Sequence, residues 1–228
     1  KNKMKKIIQS ILKKFGYRFQ SLYDSVIDED KKFMEIYEKC RPYTMTTRER
    51  IYALYKAVEY AVKANIKGDF VECGVWKGGS CMLMAETLLS LGENRKIYLY
   101  DTFEGMTAQT KEDINSEGKT EYDPSIASLE EVKENMSKYE NIVYVKGKVE
   151  DTIPNTNHSE IAILRLDTDW YESTKHELDY LYPLLTKGGV LIVDDYGAWA
   201  GARKAVDEYF NGNILLNRID HDSRLSIK

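Results

Sequence analysis

The stretch DFVECGVWKGGS, residues 69 to 80, predicts how this chain folds. Its first five residues have the composition of a buried strand, and the rest forms a glycine-rich turn. An apolar run over residues 81–91 then predicts a helix. Glycines in a strand-to-helix turn let backbone amides approach a ligand at the helix N-terminus. The turn has neither the GK[ST] ending of a phosphate-binding loop nor the spacing GxGxxG, so we do not expect phosphates to hold its ligand.

Strands and helices continue to alternate on both sides of this stretch. Thr46 and Glu49 have the spacing of a capping box, which predicts the start of a helix before the first strand. Further strands are predicted at residues 97–100, 142–145, 161–166 and 190–193, and further helices at 126–139 and 172–185. This alternation predicts an α/β fold, a mostly parallel sheet with helices on both faces. Residues 214–219 and 224–227 predict a C-terminal antiparallel hairpin.

Length, charge and cysteine content limit the classes of function. A chain of 228 residues with 43% hydrophobic content fits one globular domain with a full-sized core. The net charge of -4 argues against nucleic acid as a partner, because phosphate binding needs a surplus of Lys and Arg. The cysteines, Cys40, Cys73 and Cys81, are odd in number and widely spaced, so we expect reduced thiols in a cytoplasmic protein.

The N-terminal residues differ from the rest of the chain. Residues 1–18 carry only basic charges, interleaved at helical spacing with Ile7, Ile8, Ile11, Leu12 and Phe15. They predict a basic amphipathic helix in an N-terminal extension, residues 1–40, that precedes the main domain at 41–228. This helix is too short and too polar to be a signal-peptide core or a membrane span. Residues 4–15 are expected either to contact the inner face of an anionic membrane or to pack on the domain or a second subunit of a homo-oligomer.

Acidic residues follow four of the five strands predicted before the hairpin, and they are Glu72, Asp101, Asp167, Asp169, Asp194 and Asp195. Ligands of such sheets bind outside the carboxyl ends of the strands, so these residues are candidates for the site. Asp194 and Asp195 are adjacent, which is unfavourable unless a positive charge lies beside them. The alternative is that the aspartates only cap helices and turns.

Asp101 narrows the class of ligand. It follows the strand after the glycine turn, where a carboxylate can accept hydrogen bonds from ribose hydroxyls. A ligand with a ribose and no phosphate fits both features. S-adenosylmethionine is such a ligand.

The chain resembles the macrocin O-methyltransferase (TylF-like) family in six segments: DFVECGVWKGGS, YLYDTFEGM, SLEEVKENM, KGKVEDTIP, LRLDTDWYEST and YPLLTKGGVLIVDDYG. The resemblance runs from about Tyr43 to the C-terminus. It implies a class I methyltransferase fold, S-adenosylmethionine as methyl donor and a required Mg²⁺. The acceptors that it implies are hydroxyl groups of sugars or related small molecules and glycans.

The resemblance also implies which residues contact the donor. These are Glu72, Gly74, Val75 and Ser80 at the methionine part, Asp101, Thr102 and Phe103 at the ribose and adenine, and Ser128, Gly147, Lys148 and Val149 on the adenine side. Relatives often have a Trp-Phe pair where this chain has Lys148 and Val149, so this part of the donor site departs from the family pattern.

The resemblance implies a metal site at Asp167, Asp194 and Asp195, and the spacing supports it. The 27-residue separation of Asp167 and Asp194 fits one helix and two short loops, so their strands can end side by side. Carboxylate oxygens are the ligands that Mg²⁺ prefers. A bound divalent cation lowers the pKa of an acceptor hydroxyl, and we expect Asp167 to act as general base.

Two further regions are expected at the acceptor side. Aromatic residues flank the acids, and they are Trp170, Tyr171, Tyr196 and Trp199. We expect some of them to offer a platform for a sugar face and at least half to pack in the core. Residues 105–125 form a long polar segment, which predicts a lid. Three other functions remain open at this point: a catechol-type methyltransferase, a metal-independent one, and a non-catalytic methyltransferase-like binding subunit.

Overall fold

The structure, a computed structural model, describes residues 2–15, 23–120 and 122–228. The strands are β1 (Asp69–Cys73), β2 (Ile97–Asp101), β3 (Ile142–Lys146), β4 (Ile161–Leu166), β5 (Leu185–Val193), β6 (Asn217–Arg218) and β7 (Arg224–Ile227). They form a seven-stranded sheet in the order β3-β2-β1-β4-β5-β7-β6. The first five strands are parallel, whereas β7 is antiparallel to both β5 and β6. The predicted α/β fold with a C-terminal hairpin is confirmed.

Helices cover both faces of the sheet. They are α1 (Asn2–Lys14), α2 (Ser25–Asp28), α3 (Lys31–Cys40), α4 (Arg48–Lys63), α5 (Gly79–Leu91), α6 (Leu129–Asn135), α7 (Val149–Thr152), α8 (Tyr171–Leu181) and α9 (Ala200–Phe210). Helices α3 to α6 pack with Phe70 and Ile163 on one face. Helices α7 to α9 pack with Val71 and Leu164 on the other. Neighbouring strand residues point to opposite faces, so each strand supplies both cores.

Three predicted helix boundaries were wrong. The N-cap of α4 is Thr47, whose hydroxyl accepts from the amide of Arg50 at 3.3 Å, and not Thr46. Helix α6 begins three residues later than predicted, because Ser128 caps it, and it ends at Asn135. Helix α8 ends at Leu181 because Pro183 has no N–H to continue it, and the chain tightens into a 3₁₀ turn before β5.

The N-terminal helices differ in how they relate to the core. Helix α3 buries Phe33, Ile36 and Cys40 in the core that α4 and α5 share. Helix α1 instead exposes its apolar side chains, with Met4 at 65% and Ile7 at 56%. Residues 1 and 16–18 of the predicted basic helix lie outside the described residues. Among the residues described, no helix has the length and apolar character needed to span a membrane.

Candidate active site

A cavity of about 300 Å³ opens at the carboxyl ends of the parallel strands. The sheet brings to it residues that follow β1, β2, β3, β4 and β5. Its wall contains Gly74, Val75, Ser80, Asp101, Thr102, Gly147, Lys148 and Val149, together with Asp167, Asp194 and Asp195. The predicted donor turn and the predicted acidic residues therefore share one site, as expected for ligands of parallel sheets.

The turn after β1 is held in place by a close approach and by one carboxylate. Gly74 has φ +81°, and a Cβ on it would lie 2.0 Å from the carbonyl oxygen of Asp167, so only glycine fits there. Asp101 Oδ2 accepts from the amides of Val75 at 2.8 Å and Trp76 at 3.2 Å, while Oδ1 accepts from Phe103 N at 2.7 Å. Thr102 Oγ1 lies 3.4 Å from Oδ1, but its single proton is donated to the Gly105 carbonyl at 2.6 Å. With about four lone-pair positions on a carboxylate, Asp101 keeps one for a ribose hydroxyl.

Three residues that were assigned to the donor do not line the cavity. Glu72 is fully buried and accepts hydrogen bonds from the side chains of Ser80 and Cys81 behind the wall. The Phe103 ring lies in the core. Ser128 caps α6 by accepting from Glu131 N at 3.1 Å. These positions depend on side-chain direction, which the spacing of motifs does not specify.

The acids that follow β4 and β5 form a cluster at the cavity floor. Asp167, Asp194 and Asp195 each offer one carboxylate oxygen, and these atoms lie within 4.8 Å of one another. Burial and the neighbouring carboxylates of Asp169 and Asp194 raise the pKa of Asp195 well above its usual value. Burial also raises the pKa of Asp169, to about 7. Negative charge is therefore crowded at this end of the cavity.

Two arginines that the sequence reasoning missed meet this cluster. Arg165 on β4 donates to Asp167 at 2.6 Å and to Asp194 at 2.7 Å. Arg50 on α4 donates to the other oxygen of Asp194 at 2.5 Å. Burial lowers the pKa of Arg165, but the surrounding carboxylates outweigh it and keep this side chain charged.

Both arginines left a signal in the sequence. Arg165 interrupts the otherwise apolar strand IAILRL, and a buried arginine requires acidic partners. Arg50 lies in the first turn of α4, where the helix dipole disfavours a cation. These two guanidiniums bond to Asp194 and so supply positive charge beside the adjacent acids Asp194 and Asp195.

The arginines do not complete the charge balance of the cluster. Asp195 Oδ2 is buried and has no hydrogen-bond partner among the described residues. Burial raises the pKa of Asp167 well above its usual value. Arg165 opposes this shift, whereas the charges of Asp194 and Asp195 add to it. Carboxylate oxygens of three aspartates converge here, and one oxygen of Asp195 has no hydrogen-bond partner among the described residues. Such oxygens are the ligands that a small divalent cation prefers. The residues present fit Mg²⁺.

The segment predicted to be a lid lies against α8 and α9, and its residue 121 is outside the described part. Asp113 is fully buried and accepts from the amide of Tyr171 at 2.8 Å, beside Gly201. Trp170 donates from its indole to the carbonyl of Thr107 at 3.0 Å. Trp199 packs edge-on to Trp170, with ring centroids 4.9 Å apart, and lines the cavity. The segment and the aromatic residues together form the wall near the acid cluster.

The order of the sheet, the glycine turn after β1 and the carboxylate after β2 define a class I methyltransferase. The solved O-methyltransferase NovP is similar, with a TM-score of 0.72, 32% identity and coverage of 82% of each chain. The calicheamicin methyltransferase CalS11 shares the fold, with a TM-score of 0.62 at 20% identity, over 92% of this chain and 98% of that one.

Sequence comparison narrows the class to a family. The family model "Macrocin-O-methyltransferase (TylF)" matches residues 4–224, an earlier start than the predicted Tyr43. An 8-demethyl-8-(2,3-dimethoxy-alpha-L-rhamnosyl)-tetracenomycin-C 4'-O-methyltransferase from Streptomyces olivaceus is 31% identical over 90% of this chain and 82% of its own length. The demethyldecarbamoylnovobiocin O-methyltransferase from Streptomyces niveus is 31% identical over 86% and 76%. The chain belongs to the macrocin-O-methyltransferase family and is an S-adenosylmethionine-dependent O-methyltransferase.

Proposed function

We propose that this enzyme methylates a hydroxyl group of a sugar or a glycosylated small molecule or glycan, with Mg²⁺ held by the acid cluster. The acceptor class is supported by the relatives, one of which is named for O-methylation of a rhamnosyl tetracenomycin. One observation carries the proposal. The glycine turn for the donor and the carboxylates for the cation line the same cavity, so a methyl group and an acceptor oxygen can meet between them.

Asp167, Asp194 and Asp195 are the residues that would hold the cation, with one oxygen each. When bound, Mg²⁺ lowers the pKa of an acceptor hydroxyl and orients its oxygen. The protein itself holds the donor against the Gly74 turn and places Trp199 at the wall, where a ring face can contact the carbon-bound hydrogens of a sugar.

Asp167 is the general base expected from the sequence, and the structure adds Asp169 as a second candidate. Asp167 Oδ2 is already engaged by Arg165 at 2.6 Å, which disfavours proton uptake at that oxygen. Asp169 lines the same cavity, and its pKa, raised by burial to about 7, suits a base at neutral pH. Asp169→Asn should retain cation binding and lose transfer if Asp169 is the base, whereas Asp167→Asn should weaken both.

Chelation tests the proposed use of a metal. Treatment with EDTA should abolish methyl transfer to glycosylated acceptors, while S-adenosylhomocysteine still binds in calorimetry. Added Mg²⁺ should restore the rate. Full activity after chelation would show a metal-independent methyltransferase, and loss of S-adenosylhomocysteine binding would place the cation at the donor instead.

We also propose that α1 makes a peripheral contact with an anionic membrane at its inner face. The helix contains five lysines and no acidic residue, and its apolar side chains Ile7, Ile11 and Phe15 are mostly exposed. Deletion of residues 1–18 should leave donor binding intact and abolish sedimentation with vesicles rich in phosphatidylglycerol. If the deletion instead changes only the oligomeric state, α1 joins subunits of a homo-oligomer and does not bind lipid.

A further inference from the structure

We propose that Arg165 is a positioning residue that couples donor binding to cation binding. This inference rests on the proposed function, because it assumes that both ligands use the cavity. It concerns a buried side chain that the cavity wall does not include, and it assigns that side chain a role in how the two halves of the site act together.

Arg165 joins carboxylates from three strands with one guanidinium. Its Nη1 donates to Glu72 at 2.5 Å, behind the donor turn, and to Asp167 at 2.6 Å. Its Nη2 donates to Asp194 at 2.7 Å and to the Thr46 hydroxyl at 3.3 Å. Only 2% of the Arg165 side chain is exposed, so solvent does not screen these contacts.

Glu72 connects this guanidinium to the donor wall. It accepts from the hydroxyl of Ser80, at the start of α5, and Ser80 lines the cavity. A continuous path of hydrogen bonds therefore runs from Ser80 through Glu72 and Arg165 to Asp167. The planar fork of an arginine transmits orientation along such a path better than the single ammonium of a lysine.

Positive coupling follows from ordering these groups. The first ligand to bind fixes one end of the path and therefore restricts the guanidinium and the carboxylates at the other end. The second ligand then finds its partners already ordered and pays less conformational entropy. By thermodynamic reciprocity, each ligand should tighten the other by the same factor.

Arg50 provides a matched control for the loss of a guanidinium beside Asp194. It also donates to Asp194, at 2.5 Å, but its other partners among the described residues are Asp220 and Asp222 in the turn between β6 and β7. A change at Arg50 disturbs the same aspartate without interrupting the path to Ser80. An effect of losing a guanidinium beside Asp194 should appear at both arginines, and an effect of the path only at Arg165.

Calorimetry of S-adenosylhomocysteine with and without Mn²⁺ tests the coupling. In the wild-type protein we expect Mn²⁺ to tighten S-adenosylhomocysteine about fivefold or more, the lower range of typical coupling. Arg165→Lys keeps the charge and should reduce this ratio to below about twofold. Glu72→Gln interrupts the path at its other end and should do the same. Arg50→Lys should keep the wild-type ratio. Circular dichroism melting shows that each variant is folded, and Glu72→Gln serves if Arg165→Lys is not.

The outcomes separate this inference from the proposed function. Three results would overturn the coupling: a wild-type ratio near one, a ratio that survives in Arg165→Lys and Glu72→Gln, or a ratio that Arg50→Lys also removes. In each case, binding of S-adenosylhomocysteine and Mn²⁺ would still support the methyltransferase. A wild-type protein that binds neither ligand would overturn the proposed function and this inference with it.

Discussion

The two sides of the cavity satisfy their charges in different ways. On the donor side, backbone amides of Val75, Trp76 and Phe103 engage both oxygens of Asp101. On the acid side, Asp195 Oδ2 is buried without a hydrogen-bond partner among the described residues. Neighbouring carboxylates and burial raise the pKa of Asp195. The donor-side carboxylate thus has partners on both oxygens within the protein, whereas the acid side crowds carboxylates and leaves one oxygen of Asp195 unpaired.

This difference lies in how each side of the cavity holds its carboxylates. On the donor side, backbone amides hold the Asp101 carboxylate in a fixed position, so it can accept from a ligand hydroxyl with little rearrangement. Crowded carboxylates are costly in a buried site unless a positive charge joins them. Arg50 and Arg165 supply part of that charge through their ion pairs with Asp194.

Removal of one cluster carboxylate should have the largest effect. Asp195→Asn replaces a charged oxygen by an amide, and we expect methyl transfer to fall by more than about 100-fold, the upper range for loss of the outer partners of a metal site. Donor affinity should fall by no more than the coupling factor between cation and donor. Steady-state rates and calorimetry measure the two. Asp222→Asn, outside the cluster, is the control, and a variant Asp195→Asn with normal turnover would remove the cation from the mechanism.

A change at the donor side should weaken donor binding and leave cation binding unchanged. Asp101→Ala removes the carboxylate that holds the turn and leaves Val75 and Trp76 amides without their acceptor. We expect at least about tenfold weaker S-adenosylhomocysteine binding, about 1.4 kcal/mol, with Mn²⁺ binding in the absence of donor unchanged. Asp123→Ala at the cavity rim is a control of the same type. Unchanged donor affinity in Asp101→Ala would place the donor elsewhere.

A change at Gly201 tests whether residues 105–125, the segment predicted to be a lid, form the acceptor wall. A Cβ on Gly201 would lie 2.0 Å from Asp113 Oδ1, so Gly201→Ala should displace Asp113 and the segment that it anchors. Overpacking of this kind costs about 1–3 kcal/mol, and we expect the KM for the acceptor to rise about tenfold. Donor affinity should stay within about twofold, since the donor turn is distant in the sheet. A normal acceptor KM would show that this segment does not form the acceptor wall.

Glu86 is a carboxylate whose cationic partners belong to the protein, so it contrasts directly with the acid cluster. Glu86 on α5 is partly buried, which opposes ionisation, but bonds from Lys138, Lys39 and Tyr139 lower its pKa from 4.5 to about 2. Its contribution to stability is therefore complete above about pH 4.5 and is lost as pH falls toward 2. Glu86→Gln should cost about 1–2 kcal/mol at neutral pH, and this difference should shrink in acid.

The acid cluster should show the reverse dependence on pH. The pKa of Asp169 is raised to about 7, so its stabilising contribution is complete in acid and is lost as pH rises through neutrality. The thermal stability of the wild-type protein in EDTA should therefore fall as pH rises from about 4 to about 7, and Mg²⁺ should restore stability most at the upper end of that range. An identical pH dependence with and without Mg²⁺ would contradict a cation in the cluster.

Periodicity and strand ends in the sequence predicted the elements of the fold and the acids at the strand ends. They did not predict the contacts between side chains that are distant in the sequence. The strands, the hairpin and the cavity position of Asp101, Asp167 and Asp194 follow from local patterns. Arg165 bonds to Glu72 across 93 residues and Arg50 to Asp194 across 144, and such pairings depend on the assembled sheet. The family resemblance implied that Glu72 contacts the donor, whereas the fold places its side chain behind the cavity wall.

A crystal grown with Mg²⁺ and S-adenosylhomocysteine tests the central claim, that the cluster is a cation site facing the donor. We predict one ion about 2.1 Å from an oxygen of each of Asp167, Asp194 and Asp195, with open positions toward the donor turn. Clear density for S-adenosylhomocysteine with no ion between these carboxylates, and with Asp194 bonded only to Arg50 and Arg165, would contradict the claim.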